Sequence, residues 1–401
     1  MPKSTLQLPR PAMRPRVRVA AIVLALFFLT ATLSACGAAP PSHNVSVVLG
    51  AHSNVALAPF GGATETAVRQ VADAGGRLSL VISDGDPTVD FSADLPGVTG
   101  TSASRQPKVD DALRPFVKAY HDAHASSAES DLLAAINTAA RSLSGMQGEK
   151  EIVVLDPGLS TSGVMQFQRG LLNATPDDVV AQLKARKSLP TLKGIRLTLL
   201  GLGSVSSPQS VLPMPSQRSL ETIWVAVLQA SGGQVTLTGS PGTPRALSGL
   251  PPVTVVPIAA EVALTVPADK PNPGSTSKNR TIGVVKDSTV GFIPDSALFR
   301  NRGDALKALR QVAATAINQH WGLHLEGTTA SAGSEKYHLR LSRQRAEAVA
   351  SLLRELGVPA DQITLEGVGT HFKEFVPDRN PDGSLDPTRA AQNRTVRIQR
   401  R

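Results

Sequence analysis

Apolar residues recur at three- and four-residue steps through 339–356 (LRLSRQRAEAVASLLREL). Leu341, Ala346, Val349, Leu352, Leu353 and Leu356 line one stripe of an amphipathic helix. Gly357, with Pro359 two residues beyond, marks its end. Arg340, Arg343, Arg345 and Arg354 share this helix, and Glu347 lies four residues after Arg343, within ion-pair reach. Short runs flank it, 322–327 (GLHLEG) and 363–368 (ITLEGV), and both read as strands. Strand, helix and strand form one packing unit, with Arg345 near the start of its helix. A further helix is expected over 303–319, and a last strand over 394–398. The first strand of this region is either 281–285 or 288–292. Residues 371–391 are polar and carry Asn380-Pro381-Asp382-Gly383, the composition of a surface loop.

The pattern differs upstream. Apolar runs at 44–50 (NVSVVLG), 77–83 (RLSLVIS), 150–155 (KEIVVL), 195–201 (IRLTLLG) and 233–237 alternate with helical stretches at 64–74, 109–123, 131–143, 175–187 and 220–230. Nearly unbroken apolar strands alternating with helices predict a parallel sheet covered on both faces. Ser130 and Thr175 are candidate helix caps, with Pro176 in the first turn after Thr175. Residues 97–108 are polar and read as a loop. Ligands of such sheets bind at the carboxyl ends of the strands, which here carry Asp84-Gly85-Asp86 and Asp156-Pro157-Gly158. Residues 238–279 are rich in Gly, Pro, Ser and Thr and are expected as an interdomain linker. Within them 258–266 (IAAEVALTV) reads as a strand closing one domain or the other. The expectation is an α/β chain: a parallel-sheet domain over 44–237, then a smaller βαβαβ domain over 280–401.

A length of 401 residues accommodates this division. Aromatic residues make up only 3%, so the cores must be built from Ala, Val, Leu and Ile. The net charge of +9 suggests nucleic acid until it is divided along the chain. Lys3, Arg10, Arg14, Arg16 and Arg18 contribute five charges, residues 280–401 carry 18 Lys and Arg against 13 Asp and Glu, and the remainder is nearly neutral. Without an RNA-binding signature or zinc-finger spacing, no nucleic-acid partner is expected.

The basic run ending at Arg18 precedes an uncharged stretch, 19–33, which is short for a membrane-spanning helix. Together they read as a signal peptide over 1–35. The sequence Leu33-Ser34-Ala35-Cys36, followed by Gly37, resembles the bacterial lipobox. That resemblance implies a diacylglycerol on the Cys36 thiol, a membrane anchor and a tether over 36–43. The alternative is an ordinary signal peptide with an incidental cysteine. Cys36 is the single cysteine of the chain, so no disulfide forms within it, and two acyl chains hold a protein to a membrane where one does not.

Four pieces of the C-terminal region occur in order. They are Gly327-Thr328-Thr329-Ala330, Leu341-Ser342-Arg343-Gln344-Arg345-Ala346-Glu347-Ala348-Val349, Gly357-Val358-Pro359 and Asn393-Arg394-Thr395-Val396. They resemble the C-terminal peptidoglycan-associating domain of the OmpA family, over about 285–398. The family pattern is a strand ending Gly-His-Thr-Asp, a helix with Leu-Ser-x-x-Arg-Ala-x-x-Val, then Gly-Val-Pro and a final Asn-Arg-x-Val strand. The resemblance implies that Arg345 holds a carboxylate of diaminopimelate, with Asn393 and Arg394 supporting the site. The family aspartate that holds the ammonium of the same amino acid is replaced by Ala330, and a methyl group cannot pair with an ammonium. The alternative role for Arg345 is pairing with a neighbouring acid such as Glu366.

Residues 44–237, and the strand KEIVVLDPGLSTSG above all, resemble a von Willebrand factor A-like domain. That family often binds a divalent metal through Asp-x-Ser-x-Ser after its first strand. Here the positions are Gly50-Ala51-His52-Ser53-Asn54, without the carboxylate that Mg²⁺ requires. Asp156, Asp84 and Asp86 are the nearby candidates, and capping or turn formation is their alternative role. Neither a metal nor a cofactor is therefore expected. His52, His121, His124 and Ser160 could compose a hydrolytic site only by coincidence, since no Gly-x-Ser-x-Gly elbow, HExxH or phosphate loop is present. The expectation is a lipid-anchored, extracytoplasmic, non-enzymatic envelope protein. Its C-terminal domain associates with peptidoglycan, through a weak or altered site, and its central domain binds an unidentified protein partner. The alternative is a protein-interaction module in which the OmpA-like domain is a non-binding scaffold.

Overall fold

The structure is a computed structural model that describes residues 42–55, 59–239, 249–258, 280–286, 292–293, 295–299 and 301–401. The expected signal peptide, Cys36 and most of the tether lie outside the described residues, as do 259–279 of the expected linker. Among the described residues no helix is long and apolar enough to cross a membrane.

The first half of the chain runs β1 (His43–Leu49), α1 (Gly62–Ala74), β2 (Gly76–Ile82), β3 (Thr88–Leu95), α2 (Ser102–Asp122), α3 (Leu132–Ser142), β4 (Glu149–Leu155), α4 (Pro176–Ala185), β5 (Arg196–Leu200), α5 (Met214–Ala230) and β6 (Gln234–Thr238). The strands form one six-stranded sheet, β3-β2-β1-β4-β5-β6, parallel except at β3. Alternate residues of the apolar strands feed two cores. Val48, Ile152, Val154, Leu197 and Leu199 face α3, α4 and α5, where Ile136 and Trp224 are buried. Val45, Val47, Leu49, Leu80 and Val153 face α1 and α2. Because both faces are covered, the central strands need no polar side, which is why their sequences run apolar without a break.

Five features here depart from the sequence reading. β3 was not anticipated: it is an antiparallel edge strand, half-exposed along its length, in which Val89, Phe91, Ala93 and Leu95 alternate with polar residues. The polar stretch 97–108 is not all loop, because α2 starts at Ser102 and continues through Pro107 and Pro115. Burial of Val109, Leu113, Phe116 and Tyr120 beneath the sheet outweighs the amide bonds those prolines forgo. The cap of α3 is Asp131 rather than Ser130, its carboxylate accepting from the Ala134 amide at 3.0 Å. Thr175 does precede α4, but its hydroxyl donates to Asp178 at 2.6 Å rather than accepting an amide. The stretch expected as linker also contributes to this half, since Val253 and Val256 are buried.

The second half runs β7 (Arg280–Lys286), α6 (Arg302–Asn318), β8 (Leu323–Thr328), α7 (Glu335–Glu355), β9 (Ile363–Gly369), α8 (Pro387–Asn393) and β10 (Thr395–Arg400). It forms a smaller four-stranded sheet, β7-β10-β8-β9, in which β8 and β9 are parallel and β10 is antiparallel to both neighbours. The core packs Leu309, Val312, Val349 and Leu353 against Leu325, Val396 and Ile398. Of the two choices for the first strand, 281–285 is realised. The helix expected at 339 begins one turn earlier, where the Ser334 hydroxyl accepts from the Tyr337 amide. Glu347 accepts from Arg354 rather than Arg343. The expected surface loop at 371–391 is partly ordered: it ends in α8, and Asp378 within it is buried. The two halves meet where Arg394, between α8 and the last strand, pairs with Asp178 near the start of α4.

Candidate functional site

α7 sits unusually close to the sheet because two strand positions are glycine. A Cβ at Gly327 would lie 2.0 Å from the Ser342 carbonyl oxygen, and one at Gly367 would lie 2.2 Å from the Arg343 amide nitrogen. Ser342 adds a direct tie, its hydroxyl accepting from the Gly369 amide at 3.1 Å while donating to the Leu339 carbonyl at 3.0 Å. This seating turns Arg345 inward, where it is only 2% exposed.

Arg345 Nε donates to the Ser296 carbonyl at 3.0 Å, and its guanidinium lies over the Phe292 ring, 5.1 Å from the centroid. Phe292 in turn stacks on Phe299 at 4.9 Å. The chain closes on itself there, the Ile293 amide donating to the Leu298 carbonyl at 2.8 Å. The Tyr337 hydroxyl donates to the Asp295 carbonyl at 3.4 Å. Burial pushes the Tyr337 phenol above its usual range and the Asp295 charge adds to this, while Arg345 and Arg340 oppose it. Tyr337, Asp295, Arg340 and Arg345 thus share one electrostatic neighbourhood along the first half of α7. Glu366, the alternative partner considered for Arg345, has Oε1 at 3.1 Å from His324 Nε2.

Ala330 is buried on the turn that leaves β8. The next residue receives a carboxylate from elsewhere: the Ser331 amide donates to Asp378 Oδ2 at 2.9 Å, and the Ser331 hydroxyl donates to Asp378 Oδ1. Arg379 Nη2 donates to the Ser331 carbonyl at 2.7 Å. Asp378 and Arg379 went unrecognised in the sequence because they belong to a polar stretch whose composition signals only a loop. Their pairing with a turn 47 residues away leaves no local pattern.

Asn393 is fully buried. Its Oδ1 accepts from the Val376 amide at 2.9 Å, and its Nδ2 donates to the Val376 carbonyl at 2.7 Å and to Asp378 at 3.0 Å. Its side-chain amide thus fastens the 371–386 segment at three points. Arg394 pairs with Asp178. The structure thus gives the three candidate residues three different partners: Arg345 the 292–299 turn, Asn393 the long loop, Arg394 the first half of the chain.

At the carboxyl edge of the first sheet, the candidate carboxylates are occupied by their own chain. Burial raises Asp84, but the Ser126 and Ser127 hydroxyls and the Ser126 and Gly85 amides outweigh it and bring it down to about 2. Burial pushes Asp156 up to about 6, opposed only in part by the Gly158 amide at 2.7 Å and by Ser83. Its carboxylate occupies the space beside Gly50, where a Cβ would come within 2.6 Å of Asp156 Oδ2. Among the described residues no group of three or more His, Cys, Asp or Glu side chains is arranged to hold a metal ion. Of the residues considered for a hydrolytic site, Ser160 Oγ accepts from the Leu132 amide, His52 Nε2 lies 3.1 Å from the Ser127 carbonyl, and His121 and His124 are exposed.

The sequence model of the OmpA family matches residues 292–384. The outer-membrane lipoprotein YfiB of Pseudomonas aeruginosa is 40% identical over 76 residues, 19% of this chain and 40% of that protein. The photosystem I P700 chlorophyll a apoprotein A2 of Gloeobacter violaceus is 36% identical over 98 residues, 24% of this chain and 11% of that protein. The chain thus spans less than half the length of either curated relative. Among solved structures, the peptidoglycan-associated lipoprotein from Burkholderia pseudomallei is 26% identical, with 29% of this chain and 89% of that one covered at a TM-score of 0.23. The cell wall anchor of the T6SS from Pseudomonas aeruginosa is 22% identical, with 29% and 78% covered at a TM-score of 0.24. What the comparisons identify is one part of the chain: residues 292–384 lie in an OmpA family domain.

Proposed function

We propose that the protein is a lipid-anchored component of the bacterial cell envelope that associates non-covalently with peptidoglycan through its C-terminal domain and presents its first domain to another protein. The observation that carries this reading is the OmpA family match over 292–384, within which Leu341-Ser342-x-x-Arg345-Ala346 is kept on α7. The shared stretch with an outer-membrane lipoprotein supports an extracytoplasmic envelope location. The lipobox at Cys36 supplies the anchor. A doubly covered sheet whose strand order reverses between β1 and β4 supports the von Willebrand factor A-like reading of the first domain. No reaction is part of this reading, since the sequence carries no Gly-x-Ser-x-Gly elbow, HExxH or phosphate loop.

Arg345 is the residue expected to contact the wall. Its guanidinium suits a carboxylate, and the Ser296 carbonyl and Phe292 ring orient it. With Ala330 in place of an acid, the contact is directed at anionic groups and weakens with salt. Sedimentation of the chain with purified peptidoglycan tests this. Arg345→Ala is expected to abolish co-sedimentation, since losing a charged hydrogen-bond partner costs about 1.5–3 kcal/mol. Ala330→Asp is expected to strengthen retention on wall containing diaminopimelate. If both variants sediment as the unaltered chain does, the OmpA-like domain is a scaffold and the interaction-module reading takes its place. The burial of Arg345 against Ser296 is the observation that favours that second reading.

A further inference from the structure

Residues 251–256, Pro-Pro-Val-Thr-Val-Val, have no helix or strand of their own, yet they are held at almost every step. They cross the loops at the carboxyl edge of the first sheet. The Ser53 amide donates to the Pro251 carbonyl at 3.2 Å, and the Thr254 amide donates to the Ala128 carbonyl at 2.8 Å. The Thr254 hydroxyl reaches Glu129 Oε1 at 2.9 Å.

The two strongest grips come from side-chain amides. Asn54 Oδ1 accepts from the Val253 amide at 2.8 Å, while its Nδ2 faces the Val253 carbonyl at 3.5 Å. Gln209 Oε1 accepts from the Val256 amide at 2.7 Å and its Nε2 donates to the Val256 carbonyl at 3.0 Å. Asn54 and Gln209 are themselves 2% and 4% exposed, so each is committed to the segment rather than to solvent. Between the two grips, the Val253 and Val256 side chains are buried while Thr254 and Val255 face outward.

This arrangement has the features of peptide recognition. Fixed side-chain amides read a backbone whatever its side chains, and buried positions at set spacing supply the selectivity. The preceding stretch, 238–250, has the Gly, Pro, Ser and Thr composition of a linker, and a second such stretch, 268–279, follows after 258–266. A linker-borne segment in such a groove is a ligand held at high effective concentration by its own chain.

We propose that the groove formed by Asn54, Gln209, Ser53 and Glu129 is a recognition site for an extended Pro-Pro-Val-x-x-Val segment of a partner protein, with residues 251–256 as its resident, displaceable occupant. This names the partner chemistry of the first domain and rests on reading that domain as an interaction module. The tether through the linker keeps the site closed, and a partner opens it by outcompeting that local concentration.

The test uses the full chain with protease sites introduced within 240–248 and within 260–270, cleaved at both and given a labelled peptide of residues 251–258. The cleaved chain is expected to keep its circular dichroism and to exchange in the labelled peptide with a micromolar dissociation constant. The uncleaved chain binds the same peptide at least about tenfold more weakly, as does a cleaved chain carrying Asn54→Ala with Gln209→Ala. A peptide with Val253→Asp and Val256→Asp should not bind. The proposal is overturned if the cleaved, folded chain takes up no peptide, if it takes the aspartate peptide equally well, or if cleavage unfolds the first domain. A photo-crosslinker placed at Ser53, in the groove wall, and, separately, at the exposed Met214 separates this failure from a broader one. Crosslinks to a partner from Met214 alone count against the groove only, and crosslinks from neither position count against the interaction-module reading as well.

Discussion

Replacing Asp156 by Asn should stabilise the protein at neutral pH and flatten its pH dependence. Asp156 directly follows β4, is almost fully buried and is pushed up to about 6 from 3.8. Below 3.8 the carboxyl is neutral in both the folded and unfolded chains. Between 3.8 and 6 the folded chain keeps a proton that the unfolded chain has lost, so stability falls as pH rises through this window. Above 6 the folded chain bears a buried carboxylate with two hydrogen-bond donors, and the full penalty is in place. A displacement of about two pH units corresponds to roughly 3 kcal/mol. Asn keeps the acceptor for the Gly158 amide and offers an NH₂ to Ser83, so little else is lost. Asp84 does not confound the experiment, because its depressed value of about 2 places its own loss of stability, on acidification, below 3.8. Urea titrations followed by Trp224, buried in the first domain, measure the effect once Trp321 of the second domain is replaced by Phe. The Asn variant should be about 2–3 kcal/mol more stable than the parent near pH 7.5, with the gap closing to under about 1 kcal/mol near pH 4. Parallel profiles for the two proteins, or a gap that widens on acidification, would refute the assignment of a raised carboxyl at Asp156.

Three further outcomes are expected. Cys36→Ala should move the mature protein out of the detergent phase into the aqueous phase in a partition assay, and unchanged partitioning would remove the lipid anchor. Asp178→Asn and Arg394→Gln should each lower stability, and their double-mutant cycle should give a coupling of about 0.5–3 kcal/mol, since the pair is largely shielded from solvent; a coupling of zero would mean the pair does not join the two halves. Gly327→Ala should destabilise the second domain by about 1–3 kcal/mol, because its Cβ would meet the Ser342 carbonyl of α7, and an unchanged midpoint in denaturant would show that α7 can retreat.

Sequence alone determined the elements whose apolar spacing matches their own geometry. The runs at 44–50, 150–155 and 195–201 became central strands, and the stripe from Leu341 to Leu353 became the buried face of α7, because burial on a strand or helix is a periodic, local property. The same locality placed Arg345 on its helix: Leu-Ser-x-x-Arg is a run of adjacent positions within α7. Tertiary structure decided whatever depends on pairing between distant segments. It continued α2 through two prolines for the sake of a core beneath the sheet, and it drew 251–256 out of a linker-like composition onto Asn54 and Gln209. It also gave Asn393 and Arg394, adjacent in sequence and read together as support for one site, to Asp378 and Asp178 respectively. Composition records what a segment can bury or solvate, but not which distant backbone amide or carboxylate it will meet, because that choice is made by the sum of contacts across the folded chain.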